Sequence, residues 1–334
     1  MDQTTTKTRN DQLPAGLVDV AVIGGGAAGL NGALMLARSR RTVVVIDSAS
    51  PRNAPAEGVH GLLGLEGIAP AELYRRGREE VRSYGGLVVD GAVAAAVPAA
   101  PGPDGDLRFT LTLADGRTLT ARRILVATGV RDVLPDIPGL AQHWGAGLVH
   151  CPYCHGWEVR DEPIGILAVG PGSRHATLLF RQLSEDVIVF ANGTDLDAET
   201  RARFASRGIE VIDGAVTEVV ADDAGRIAGV RMDDGTVVAR RVLTVMTQLR
   251  VRTEGLDGLQ LPMADLPGGT GRHFVTEMAG STAVPGVWVA GNAAEPMAQV
   301  GASAAAGALA GGHINADLVG ADTDAALGAA ARAA

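Results

Sequence analysis

The sequence predicts an α/β protein of two modules, the first of them interrupted by the second. Three observations predict it. A strand, a glycine turn, a helix and a second strand ending in an acid lie near the N-terminus; a hairpin followed by a buried strand occurs twice; and a lone strand and helix near the C-terminus have no sequence neighbour to pack on. A chain of 334 residues suits one large or two ordinary domains, and 46% apolar against 20% charged residues gives it a sizeable core rather than disorder. Aromatics are only 3%, so Ala, Val and Leu must fill the interior. With 38 acidic and 29 basic residues the net charge is −9, a field that repels polyanions and makes nucleic acid a poor partner.

Taken in order, Val18–Ile23 is a β-branched run that ends in Gly24-Gly25-Gly26-Ala27-Ala28-Gly29; residues 30–38 then read as a helix, and an apolar run at 42–46 ends at Asp47. Gly24 permits the tight turn, Gly26 lets the backbone approach a diphosphate, and Gly29 lets helix and strand pack closely. The helix start at Ala27 and Ala28 turns unpaired N–H groups and a positive dipole end toward the phosphates. Asp47, 23 residues after Gly24, can accept from a ribose hydroxyl. The alternative is a glycine-rich turn in an ordinary βαβ unit, but the complete context favours a dinucleotide.

Residues 107–113, the Asp115-Gly116 turn and residues 118–127 read as a hairpin and a buried strand ending in Ala127-Thr128-Gly129. Residues 230–232, Asp234-Gly235 and residues 236–246 repeat that order, down to Ala121-Arg122-Arg123 against Ala239-Arg240-Arg241. Between them a strand at 164–169 runs into Gly170-Pro171-Gly172 and a helical stretch at 173–183. The chain therefore reads as two Rossmann-like modules of the three-layer ββα type. A strand at 286–290, Gly291-Asn292 and a small-residue helix at 299–318 are expected to return to the first module. That gives 17–134 with 250–318 as one domain, 135–249 as the central one, and 1–16 and 319–334 as loosely held ends. The charge-free run 296–316 is mostly Gly, Ala and Ser, too weakly apolar for a membrane span, and the polar N-terminus lacks the order of a secretion signal. A cytoplasmic protein is expected.

The only two cysteines, Cys151 and Cys154, stand in His150-Cys151-Pro152-Tyr153-Cys154-His155-Gly156, close enough to close a small ring reversibly. That points first to redox exchange, with His150 or His155 as the base that deprotonates an incoming thiol. Other readings stay open: haem attachment at Cys-x-x-Cys-His, which needs export and a distal ligand; zinc, which needs two more ligands; and two inert buried thiols. Either histidine can instead be a hydrogen-bonded structural residue. No metal is expected.

Together the first glycine motif, Ala127-Thr128-Gly129, the Cys-x-x-Cys and Ala290-Gly291-Asn292 before a small-residue helix resemble the small thioredoxin-reductase-type flavoproteins over residues 17–318. The resemblance implies FAD in the first module, NADPH in the second, a domain rotation that swaps them against the cysteines, and a two-fold homodimer. FAD would be held at Gly24, Gly26, Ala27, Ala28, Gly29, Asp47, Ala127, Thr128, Gly129, Gly291, Asn292, Gln299 and Val300. Asn292 replaces the acid that bonds the ribityl chain, which an amide can do as donor and acceptor. Gln299 and Val300 would offer backbone N–H groups to the flavin's pyrimidine oxygen.

The second module departs from that pattern. His175 stands where a small residue packs helix on strand, Ala191-Asn192-Gly193-Thr194-Asp195 replaces an arginine clamp, and Met246-Thr247-Gln248 has lost the glycine of Ala127-Thr128-Gly129. A flavin and a cysteine pair without a hydride donor suggest electrons arriving from a thiol. The cysteine segment is similar to the active-site segment of FAD-dependent dithiol oxidases that close disulfide rings in natural products such as gliotoxin and holomycin. This implies oxidation of a small-molecule dithiol with molecular oxygen as acceptor, in antibiotic biosynthesis or self-resistance. By the same resemblance Cys154 is the flavin-facing sulfur, Cys151 exchanges with substrate and His150 is the base, while His155 stands where reductases place an acid. The competing functions are reduction of a thioredoxin-like protein and a flavin-bearing redox sensor.

Overall fold

The computed structural model describes residues 12–170 and 172–333. The first module opens with β1 (Val18–Ile23), α1 (Ala27–Arg38) and β2 (Val43–Asp47), followed by α2 (Pro70–Ser83) and β3 (Leu87–Asp90). A meander of β4 (Val93–Ala99), β5 (Arg108–Leu113) and β6 (Thr118–Val126) completes its N-terminal part. Strands β1 to β3 and β6 are parallel, in the order β3-β2-β1-β6, with β5 and β4 added antiparallel. Because Ile23 aligns with Ile46 and with Val126, the residues that follow, Gly24, Asp47 and Ala127, emerge together at one edge of the sheet. In open α/β sheets that carboxyl edge is where ligands sit.

β7 (Val130–Val133) leaves this module for the central one, which holds β8 (Leu148–Val149), the short helix α3 (Pro152–His155), β9 (Ile164–Leu167), α4 (Gly172–Phe180), β10 (Val187–Phe190), α5 (Ala198–Ala205) and β11 (Glu210–Ile212). Next come β12 (Val216–Ala221), β13 (Ile227–Met232), β14 (Val237–Ala239) and β15 (Val242–Val245). A parallel sheet runs β11-β10-β9-β15-β8, and β12-β13-β14 forms a separate antiparallel one. The run expected at 236–246 is thus two strands broken at Arg240-Arg241, whereas β6 passes through Arg122-Arg123 without a break.

β16 (Gln248–Val251) brings the chain back, pairing antiparallel with β7. Each crossing is fastened by the threonine before or beside it: the Thr128 hydroxyl donates to the Arg252 carbonyl (2.8 Å) and the Thr247 hydroxyl to Asp132 (2.6 Å). A hairpin of β17 (Met263–Asp265) and β18 (Arg272–Phe274) precedes β19 (Val287–Val289), which joins β6 in the first sheet. The last element, α6 (Val300–Ala333), lies on α1. Its small residues are a packing requirement, since a Cβ at Gly307 would collide with the Ala28 carbonyl and one at Gly311 with that of Gly32.

Residues 319–333, expected to be loosely held, instead continue this helix, and Asp322 ties it to Arg41 (2.7 Å) and Arg122 (2.6 Å). The expectation for 1–11 and Ala334 lies outside the described residues. Among the described residues no helix is long and apolar enough to cross a membrane.

Candidate active site

A single cavity of about 870 Å³ takes in the glycine turn, Asp47, the Ala127-Thr128-Gly129 strand end, the start of α6 and the cysteine pair. The turn is shaped by sterics. Gly24 has φ +107° and its Cβ would strike the Ala127 carbonyl; a Cβ on Gly29 would strike the Gly24 carbonyl; Gly26 has open space before it. So Gly29 packs the helix and is the one expected FAD-site residue off the cavity wall, whereas Gly24, Gly26, Ala27, Ala28, Asp47, Ala127, Thr128, Gly129, Gly291, Asn292, Gln299 and Val300 all line it. Asp47 is buried beneath Gly25, accepting from the Ala49 N–H (3.2 Å) and from the Arg78 guanidinium.

At the other end Cys151 and Cys154 are joined as a disulfide, their Cα atoms 5.2 Å apart, and line the cavity with His150 and His155. Cys151 caps the single turn of α3, its carbonyl accepting from the Cys154 and His155 N–H groups. The pair is therefore neither buried for packing nor, in this state, free to ligate zinc or haem.

Burial, with the Arg52 charge beside it, pushes the His150 imidazole down to about 4, against a weaker upward pull from Asp132. Burial also lowers His155, which Glu158 opposes. Both rings are thus neutral near pH 7 and able to accept a proton. Arg52 is gripped by Asp132 through two bonds (2.6 and 2.7 Å). Although burial alone would raise the Asp132 carboxyl, Arg52 and Thr247 hold it below the usual carboxylate range.

Buried polar atoms without a partner are rare in folded proteins because each forfeits its hydration. Among the described residues eight such side-chain atoms occur, and six of them, on Asn53, Arg78, His150, His155, Arg252 and Ser303, belong to residues of this one wall. Their concentration, with the open space at Gly26, fits a large polar ligand of the dinucleotide type. Asn53, Arg78, Arg252 and Ser303 were not legible in the sequence as site residues. None carries a motif, although a serine one turn into an otherwise apolar helix start was a faint signal.

Asn292 differs from expectation too. Its Nδ2 donates to the carbonyls of Glu295, Pro296 and Ala298 (3.2, 3.0 and 2.8 Å), so only its oxygen is left to face a ligand, as acceptor.

Residues 18–309 match the description of a pyridine nucleotide-disulphide oxidoreductase. The chain belongs to that family. Among curated relatives, the thioredoxin reductase tcpT of Claviceps purpurea is 36% identical over 83% of this chain and 86% of its own length, and the thioredoxin reductase aclD of Aspergillus oryzae 30% identical over 89% and 95%. Among solved structures, HlmI is 42% identical with a TM-score of 0.89, covering 97% of this chain and 99% of its own. An oxidoreductase from Agrobacterium tumefaciens is 32% identical with a TM-score of 0.83, covering 91% and 99%. The protein is an oxidoreductase of the thioredoxin-reductase type.

In this oxidoreductase the side chains around the second glycine motif bond backbone groups at the ends of the adjoining strands. Ser173 Oγ accepts from the Val169 N–H (3.2 Å), the Thr194 hydroxyl donates to the Ala168 carbonyl (2.9 Å), and Asn192 accepts from the Val216 N–H (3.0 Å). Arg174 turns to Asp197 (3.0 Å) and the Asp195 carbonyl (3.4 Å), and the Met246 side chain lies against Gly172. One expectation is overturned: His175 does not stand at the position where a small residue packs helix on strand. It is exposed, because α4 starts at Gly172 and presents Ser173, Ala176, Thr177 and Phe180 to the sheet, the i, i+3, i+4, i+7 face on which position 175 does not lie.

Proposed function

We propose that the protein oxidises a small-molecule dithiol to an intramolecular disulfide through Cys151–Cys154, with FAD in the large cavity and dioxygen as final acceptor. The observation that carries this reading is the Cys151–Cys154 disulfide, which lines the same cavity as the first glycine turn, between His150 and His155. The names of the fungal relatives favour reduction of a thioredoxin-like protein as the second reading.

The fit of the cavity wall supports the following neighbours for the cofactor. Gly24 and Gly26 would meet its diphosphate, Asp47 a ribose hydroxyl, and the N-terminal turn of α6 at Gln299 and Val300 the flavin. When bound, FAD supplies a two-electron acceptor able to pass electrons on to dioxygen.

The chain's own residues do the exchange. His150, neutral in its buried setting, takes the proton of one substrate thiol. The resulting thiolate attacks Cys151 Sγ, the Cys151–Cys154 bond breaks, and Cys154 leaves as a thiolate. The second substrate thiol gives its proton to His155, and its thiolate attacks the substrate sulfur of the mixed disulfide, closing the product ring and expelling Cys151 as a thiolate. The substrate has lost two electrons and two protons; the cysteine pair has gained the electrons. A base with its pKa pushed to about 4 is weak at rest, but a thiolate forming beside it stabilises the imidazolium and strengthens it during the step.

The test is aerobic turnover of the purified protein with a small dithiol probe. The reading expects hydrogen peroxide and cyclised disulfide in equal amounts over many turnovers. A single stoichiometric burst would favour a sensor, and turnover only with NADPH and a thioredoxin-like protein would favour the reductase.

A further inference from the structure

The arginines of the cavity wall sort themselves by what holds them. Arg52 is bound by Asp132, Arg75 by Glu72 and Glu79, Arg78 by Asp47, and Arg131 by Glu254 (2.6 Å), while Arg82 reaches the Val88 carbonyl (3.2 Å). Arg252 has no acceptor for its guanidinium among the described residues, and its Nε is buried.

Its backbone, by contrast, is pinned. The Arg252 N–H donates to the Gly129 carbonyl (3.0 Å), the Thr128 hydroxyl donates to the Arg252 carbonyl, and Val251 before it pairs with Val130. Thr128 and Gly129 follow Ala127, whose carbonyl lies under Gly24, so the residue is fastened next to the glycine turn. Its charge is felt from two sides, repelled by Arg131 and attracted by Glu254 and Asp47, and burial makes that charge costlier to hold. A half-buried cation with no acceptor bonded to its guanidinium among the described residues, held next to a turn of open N–H groups, is complementary to an anion.

We propose that Arg252 is the cationic anchor of the dinucleotide's diphosphate, delivered to the cavity by the strand that returns from the central module rather than by the glycine motif. The diphosphate is the only anionic part of FAD, and a guanidinium can bond two of its oxygens in one plane. The position also gives the cofactor a hold on the β7–β16 crossing, since Arg252 is the residue directly after β16. This assignment rests on FAD occupying the cavity and is independent of the direction of the thiol chemistry.

Full-length wild type, Arg252→Gln and Arg252→Lys, each freed of bound flavin, are titrated calorimetrically with FAD, ADP and adenosine. ADP should bind wild type at least ~10-fold tighter than adenosine, and Arg252→Gln should lose that margin while binding adenosine within ~2-fold of wild type, with Arg252→Lys in between. The ADP-to-adenosine ratio is read on whatever fraction folds, so partial unfolding does not mimic the result. If Arg252→Gln weakens both ligands equally, or neither, Arg252 is not a phosphate anchor. Wild type that binds no FAD overturns the cofactor assignment and this one together.

Discussion

The two modules run the same order of strand, glycine turn, helix and hairpin, yet among the described residues six of the eight unpartnered buried polar atoms lie on the cavity at the first module's glycine turn, and only that of Arg174 stands beside the second's. In the first, Gly24, Gly26 and Gly29 leave the turn bare, and atoms of Arg252 and Ser303 wait for a partner. In the second, Ser173 and Thr194 bond the backbone of Val169 and Ala168 at the end of β9, Asn192 bonds that of Val216, and Arg174 is turned to Asp197. Whether a glycine loop binds depends on what its backbone N–H groups meet, and the two loops are framed by different side chains.

The sharpest way to break this comparison is to stop current between the cysteine pair and the first module. Cys154→Ser should reduce dithiol-driven loss of flavin absorbance to background under anaerobic stopped flow, while Cys151→Ser should leave a Cys154 thiolate visible as long-wavelength absorbance. The reverse pattern would mean the two sulfurs exchange roles.

Next in size is His150→Ala, expected to slow flavin reduction by ~10²-fold if it is the base. With that imidazole pushed down to about 4, the rate should hold its plateau as pH falls through 6 and decline only toward pH 4, where the ring gains its proton. A loss centred on pH 6–7 would assign the proton to another group.

A smaller contrast compares the third positions of the two glycine motifs. Gly29→Ala pushes a methyl into the Gly24 carbonyl and should cost about 1–3 kcal/mol in denaturant unfolding. His175→Ala, on an exposed face, should stay within about 0.5 kcal/mol. Equal losses would mean that the two turns are built alike after all.

The sequence carried most of the architecture because its signals are local. β-branched runs ending in glycine mark β1 and β9, Asp115-Gly116 and Asp234-Gly235 mark the hairpins, and the isolated strand at 287–289 had to find a sheet elsewhere. Motif residues of the site were legible for the same reason. Arg252, Ser303, Asn53 and Arg78 were not, because their importance lies in bonds they fail to make to segments far away in sequence. His175 misled because spacing in a motif does not fix which way a helix faces; where α4 begins does. The helix beyond residue 318 was missed because its anchors, Arg41 and Arg122, lie some 200 to 281 positions away from Asp322.

The central claim, that electrons enter by thiol exchange and not from a nicotinamide, is tested most directly by adding NADPH and, separately, a small dithiol to the oxygen-free yellow protein. The account predicts rapid bleaching by the dithiol and none by NADPH on the same timescale. Bleaching by NADPH at a rate that supports turnover would contradict it.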